Sequence, residues 1–276
     1  MSYGKMRFFA AGATVLLMVL FVLCENRCLG QMYKDLHAKL EKRVYTDSEG
    51  GSLPYRLWKP ENYDPAKKYP LIVFLHGAGE RGDDNEAQLK NDEFLSLVLD
   101  PDHPAILIAP QCPKNLWWSA IRRPWDQPES GNPEPTPPMK LVMGLLDQLR
   151  KELSIDPDRC YLTGLSMGGF GTFDLLLRRP DDFAAAVPIC GGGNVERARE
   201  IAHVAMWIFH GGADPVVPPK LSQDMVKALE KAGGKVRYTE YPGVGHNSWS
   251  KAYQEPELRK WLFEQVRQRR QERSEE

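Results

Sequence analysis

Ser166 stands at the centre of Gly164-Leu165-Ser166-Met167-Gly168, with Gly169 next in line. The apolar stretch Arg159-Cys160-Tyr161-Leu162-Thr163 comes before this run, and Phe170-Gly171-Thr172-Phe173-Asp174-Leu175-Leu176-Leu177 follows it. A strand that enters Gly-x-Ser-x-Gly and leaves as a helix turns very tightly. Residues two before and two after the serine meet backbone to backbone, which calls for glycine at both places. The serine hydroxyl is thereby carried clear of the strand end. A hydroxyl is a poor nucleophile unless an imidazole takes its proton as it attacks. That imidazole in turn needs a carboxylate on its other nitrogen, to fix the tautomer and stabilise the imidazolium.

Both partners are found further along the chain. Val204-Ala205-Met206-Trp207-Ile208-Phe209-His210 is an apolar run of strand length, and it opens into Gly211-Gly212-Ala213-Asp214-Pro215-Val216-Val217-Pro218. Asp214 thus follows the carboxyl end of a buried strand, where parallel sheets place functional side chains. Residues 235–241 read as another strand and run into Pro242-Gly243-Val244-Gly245-His246. A plain reading exists for each: a loop-forming aspartate before proline, and a turn histidine. Those readings would have to hold at three separate strand ends. Ser166, His246 and Asp214 are therefore read as nucleophile, base and orienting acid.

Acyl transfer also needs donors for the oxyanion. Residues 69–75 form an apolar strand that opens into His76-Gly77-Ala78-Gly79. The expected donors are the backbone N–H of Ala78 and of Met167, the residue after the nucleophile. Gly77 and Gly79 would let the backbone approach a substrate, and His76 is read as a brace for the loop. Neither cofactor nor metal is called for, and no Cys/His pair has zinc-ligand spacing.

The elements that must hold these groups alternate between strand and helix. Val44-Tyr45 and Pro54 to Trp58 read as an opening antiparallel pair, 105–109 as a buried strand, and 184–189 as the strand after the elbow helix. Val142, Leu145, Leu146, Leu149 and Leu153 mark one helix face; Leu221, Met225, Ala228, Leu229 and Ala232 mark another. The closing helix should turn Leu258, Trp261, Leu262 and Val266 inward, with a frayed charged tail from Arg267. This alternation implies a mostly parallel sheet with helices on both faces. Residues 111–138 break the pattern, carrying Trp117, Trp118 and Trp125 among prolines. A long irregular stretch leaving a strand end is commonly functional. It is expected to wall the substrate cleft, with Trp117 or Trp118 touching substrate; the alternative is that these rings pack the loop onto the body.

The chain has 276 residues, enough for one large α/β domain. A net charge of −1 gives no electrostatic case for nucleic acid or anionic membranes. Lys5 and Arg7 precede an uncharged stretch over residues 8–24, and Gly30 offers a small residue before Gln31. Residues 1–30 therefore read as a signal peptide, with 31–276 a single exported domain and no stable membrane insertion after processing. A retained anchor is the alternative, although the apolar stretch falls short of the ~20 residues a spanning helix wants. Loss of the leader removes Cys24 and Cys28 from the five cysteines and leaves Cys112, Cys160 and Cys190. That is not a disulfide framework. Cys160 and Cys190 are expected buried, and Cys112 is the one placed to be exposed.

Taken together, residues 75–82, Ala109-Pro110-Gln111-Cys112-Pro113, residues 164–169, Asp214-Pro215-Val216-Val217-Pro218 and Gly245-His246 resemble a known group. They are similar to α/β-hydrolase esterases of the phospholipase/carboxylesterase kind, near the feruloyl and acetyl-xylan esterases, and to predicted prolyl-oligopeptidase-type peptidases. The resemblance covers about residues 42–268 and implies an α/β-hydrolase fold with Ser166, Asp214 and His246 as the triad. The expected activity is hydrolysis of small-molecule or polysaccharide-linked esters, short-acyl or aryl, in a secreted or periplasmic setting. A serine peptidase on the same triad and a binding protein on a hydrolase scaffold are the alternatives.

Overall fold

A computed structural model describes residues 32–121 and 133–267. The expected leader, Trp125 and the tail beyond Arg267 lie outside the described residues. The chain divides into an N-terminal unit, Met1–Leu40, and a body, Glu41–Glu276. In the first unit residues 32–39 form a helix, α1.

Eight strands make one sheet in the body: β1 (Glu41–Thr46), β2 (Ser52–Trp58), β3 (Tyr69–Leu75), β4 (Ile106–Pro110), β5 (Ile155–Leu165), β6 (Ala185–Ile189), β7 (Ala205–Gly211) and β8 (Val236–Tyr241). Their order is β1-β2-β4-β3-β5-β6-β7-β8. The β1–β2 and β2–β4 pairs are antiparallel, and every pair from β4 to β8 is parallel. Strands β3, β4, β6 and β7 are buried along their whole length, so they read as unbroken apolar runs. β1, at one edge, alternates and leaves Val44 exposed.

Alternation assigns the two faces of the sheet. Leu71, Val73, Leu75, Leu162, Met206 and Ile208 pack in one cluster with side chains from α2 (Pro137–Glu152), α3 (Met167–Arg178) and α4 (Pro219–Lys231). The intervening residues turn the other way. Phe74 stacks on Phe94 of the 3-10 segment Asp92–Val98 and meets Tyr253 edge-on, just beyond α5 (Trp249–Ala252). Tyr161 and Trp207 meet Phe263 and Trp261 of α6 (Leu258–Phe263). Each fully enclosed aliphatic side chain contributes about 1.5–3 kcal/mol, which holds both layers on the sheet.

Several expectations are corrected. α4 buries Ser222, Met225, Val226 and Leu229, a stripe rotated from the expected one because Ser222 has a polar partner beneath it. Val266 is 57 % exposed: α6 ends at Phe263 and the chain leaves the helical period. Arg267 is anchored rather than frayed, its N–H donating to the Asp158 carbonyl at 2.8 Å and its guanidinium to the Asp158 carboxylate at 2.8 Å. Cys112 is fully buried, because its backbone is tied on both sides, and burial pushes its thiol up to about 12. Cys160 and Cys190 are buried as expected.

Candidate active site

β5 delivers Ser166 and α3 begins at the next residue. Ser166 has φ 54° and ψ −117°, a conformation that costs a non-glycine residue roughly 1–3 kcal/mol. The neighbouring turn enforces it. A Cβ on Gly164 would lie 2.4 Å from the Gly168 carbonyl oxygen, and one on Gly168 would lie 1.8 Å from that of Leu75. The Ser166 N–H donates to the Ile189 carbonyl at 2.9 Å, tying the elbow to β6.

Asp214 lies beyond β7 and His246 beyond β8, and their loops are locked together. The Gly212 N–H donates to the Tyr241 carbonyl at 2.9 Å and the Ala213 N–H to that of Val244 at 2.9 Å. His246 Nδ1 lies 2.7 Å from Asp214 Oδ2, and His246 Nε2 lies 2.9 Å from Ser166 Oγ. Asp214 Oδ1 accepts from the Val216 and Val217 N–H groups at 2.8 and 3.0 Å. Burial by itself would raise the pKa of Asp214. The bond from His246 and the two backbone donors outweigh it and hold the carboxyl below its ordinary value. A carboxylate on Nδ1 requires the proton there, leaving Nε2 bare to accept from the serine hydroxyl. The three residues singled out in the sequence are thus brought into one hydrogen-bonded row.

The loop after β3 faces the same serine. A Cβ on Gly77 would be 3.6 Å from Ser166 Cβ, and Ala78 opens a single 3-10 turn, Ala78–Glu80. His76 is buried under it. The Cys112 N–H donates to His76 Nε2 at 2.9 Å, so Nδ1 carries the proton and donates to the Gly77 carbonyl at 2.6 Å. That carbonyl belongs to the same planar peptide unit as the Ala78 N–H, and the two point in opposite directions. Holding one aims the other. Arg81 donates to the Ala78 carbonyl at 2.8 Å, and Gln111 Nε2 to that of Glu80 at 3.2 Å. Met167 occupies the first position of α3, where backbone N–H groups have no partner within the helix.

The two tryptophans part company. Trp118 has no exposed surface; its indole N–H donates to the His76 carbonyl at 3.0 Å, and its Cβ sits where a side chain on Gly171 would go. It packs the loop onto the body and is corrected as a substrate contact. Trp117 is half-buried, with the Arg81 guanidinium 5.2 Å from its ring centroid. Two residues near the site were missed in the sequence. Trp249, half-buried, sets its ring perpendicular to that of His246 at 5.4 Å; its signal was an aromatic residue one turn past the histidine. His210 lies 3.3 Å from Asp214 Oδ2; its signal was a histidine four residues before the acid, hidden in an apolar run.

Cys190, Asp214 and His246 bring potential ligand atoms within 4.8 Å of one another. The set suits no metal ion. Asp214 and His246 are bonded directly to each other, and burial raises the Cys190 pKa, away from the thiolate a metal needs.

Over residues 63–257 the chain matches the phospholipase/carboxylesterase family. It is 28 % identical to "Probable feruloyl esterase C" of Aspergillus oryzae, over 70 % of this chain and 67 % of that protein. It is 27 % identical to the bifunctional acetylxylan esterase/xylanase of Neocallimastix patriciarum, over 63 % of this chain but only 23 % of that one. Among solved structures, a thermostable esterase superposes with a TM-score of 0.77 and 42 % identity, over 83 % of this chain and 64 % of the other.

Proposed function

The chain belongs to the phospholipase/carboxylesterase family of α/β-hydrolases, and from that premise we propose that it is a secreted serine carboxylesterase working through an acyl-enzyme. The observation that carries this reading is the row Ser166 Oγ, His246, Asp214, with contacts of 2.9 and 2.7 Å. Ser166 Oγ attacks the ester carbonyl carbon as His246 Nε2 takes its proton, and Asp214 stabilises the resulting imidazolium. The carbonyl π electrons move onto oxygen, which the Ala78 and Met167 N–H groups receive. The carbon–oxygen bond to the alcohol then breaks, and His246 returns the proton to the departing oxygen. Water, deprotonated by the same imidazole, releases the acid and restores Ser166.

Short-acyl or aryl esters, including feruloyl and acetyl esters of plant polysaccharide, fit this reading best. The named activities of the feruloyl and acetylxylan esterase relatives support it. Half-buried Trp117 is retained as a candidate substrate contact. Export rests on the basic and then apolar pattern of residues 1–30; among the described residues no helix is long and apolar enough to cross a membrane.

Ser166→Ala should lower kcat on 4-nitrophenyl acetate by at least about 10³-fold, and a fluorophosphonate should label wild type and not the variant. A panel containing methyl ferulate, acetylated xylan and esters of graded acyl length would fix the substrate. Faster turnover of proline 4-nitroanilides than of every ester would replace this reading by the peptidase one. Undiminished hydrolysis by Ser166→Ala would end both.

A further inference from the structure

Asp214 lies beside two histidines. Oδ2 receives His246 Nδ1–H at 2.7 Å, and His210 Nε2 lies 3.3 Å from the same oxygen and 3.0 Å from the Val217 carbonyl. His210, next to last in β7, is fully buried. Its Nδ1 is 2.7 Å from Ser222 Oγ of α4, which in turn is 2.9 Å from the Gly191 carbonyl. Both neighbours of Nε2 are acceptors, so Nε2 carries a proton. Enclosure disfavours the cation, so the ring is neutral with its proton on Nε2, and the single Ser222 hydroxyl proton is shared between Nδ1 and the Gly191 carbonyl. Gly191 presses against Gly169 in the first turn of α3, where a Cβ would come within 2.6 Å of the Gly169 carbonyl carbon. The polar row therefore runs from Ser166 through His246, Asp214, His210 and Ser222, and returns to backbone beside the elbow.

We propose that His210 is a positioning residue that tunes the base: its Nε2–H, bonded to the Val217 carbonyl, lies against Asp214 Oδ2 and offsets part of the charge there. His246 then faces a weaker anion, which stabilises its imidazolium less than the undivided carboxylate would. This rests on His246 being the base of the proposed ester hydrolysis. Asp214 itself stays in place without His210, since Val216 and Val217 N–H groups hold Oδ1. The other groups facing this cluster leave His210 as the one tuned to Oδ2. Cys190, beside Asp214 and His246, is a buried thiol. Glu240 of β8, whose charge reaches His210, is already bound by Tyr238 Oη at 2.6 Å and Gln223 Nε2 at 2.8 Å.

The test is the pH profile of kcat/KM on 4-nitrophenyl acetate for wild type, His210→Leu, His210→Gln and Ser222→Ala. In His210→Leu the acid limb, which reports the free base, should move up by roughly half to one pH unit. Below both limbs kcat/KM then falls about three- to tenfold, more than on the alkaline plateau, with KM little changed. Gln keeps an N–H donor and should return the limb to its wild-type position. Ser222→Ala weakens the donor indirectly and should shift the limb the same way by a smaller step, which preserves the test if His210→Leu does not fold. A folded His210→Leu or Ser222→Ala variant whose limb stays put or moves down, whatever its plateau, overturns the proposal. Full activity in Ser166→Ala would instead overturn the parent reading, so the two failures are told apart.

Discussion

One proton on His76 sets the direction of the loop facing Ser166. Because Nε2 accepts from Cys112 N–H, Nδ1–H goes to the Gly77 carbonyl and the Ala78 N–H is aimed the opposite way. In the proposed ester hydrolysis the Ala78 N–H would meet the oxyanion only once the carbonyl becomes tetrahedral, so its loss would appear in kcat and not in KM. His76→Gln should therefore lower kcat about 10- to 100-fold with KM nearly unchanged, measured on 4-nitrophenyl acetate. Desolvation lowers the His76 pKa from 6.5 to about 4. Between those values the unfolded chain binds the proton and the folded one does not, so stability falls as pH drops from about 6.5 towards 4, by roughly 3 kcal/mol. Denaturant midpoints at pH 7 and pH 5 should therefore differ more for wild type than for His76→Gln. Ser166, Asp214 and His246 were legible in the sequence because each is a reactive type at the end of an apolar strand. The burial of Trp118 was not, because it depends on a carbonyl and a glycine distant in sequence, His76 O and Gly171.

At the scale of elements, strands buried on both faces announce themselves as apolar runs, and β3, β4, β6 and β7 were readable on that account. α4 was readable as a helix but not in its facing. Ser222 is the residue a hydropathy count places outside, yet it is fully buried, because His210 on the strand below offers it a partner. Polar burial of that kind is a pairwise property, invisible to either segment alone. The junction of β5 and α3 carries a sharp prediction. Gly168→Ala, in the first turn of α3, puts a Cβ 1.8 Å from the Leu75 carbonyl oxygen, and β3 cannot retreat without breaking its pairing with β5. It should cost at least about 3 kcal/mol in chemical denaturation, the range of severe core overpacking, or prevent folding. Gly79→Ala, with nothing within 4 Å of the added carbon, should change stability by less than about 0.5 kcal/mol.

At the scale of the whole molecule, the site is a meeting of loops that the sheet order makes adjacent. β3, β5, β6 and β7 lie side by side and parallel, so their carboxyl ends present the His76–Gly79 loop, the Ser166 turn, its Ile189 brace and the Asp214 loop along one rim. Trp118 holds several of these parts at once. Its indole N–H bonds to the His76 carbonyl, its Cβ fills the space left by Gly171 of α3, and its carbonyl accepts from Thr136 Oγ1 ahead of α2 at 3.0 Å. Removing a fully buried indole leaves a cavity and an unpaired carbonyl, so Trp118→Ala should destabilise by about 3–5 kcal/mol. Its activity per folded molecule should drop for all esters alike, since the ring is fully buried. Trp117→Ala opens no enclosed space and should leave the unfolding midpoint nearly unchanged, while altering KM between methyl ferulate and 4-nitrophenyl acetate. Equal KM changes on both esters would place Trp117, too, among the residues that only support the loop.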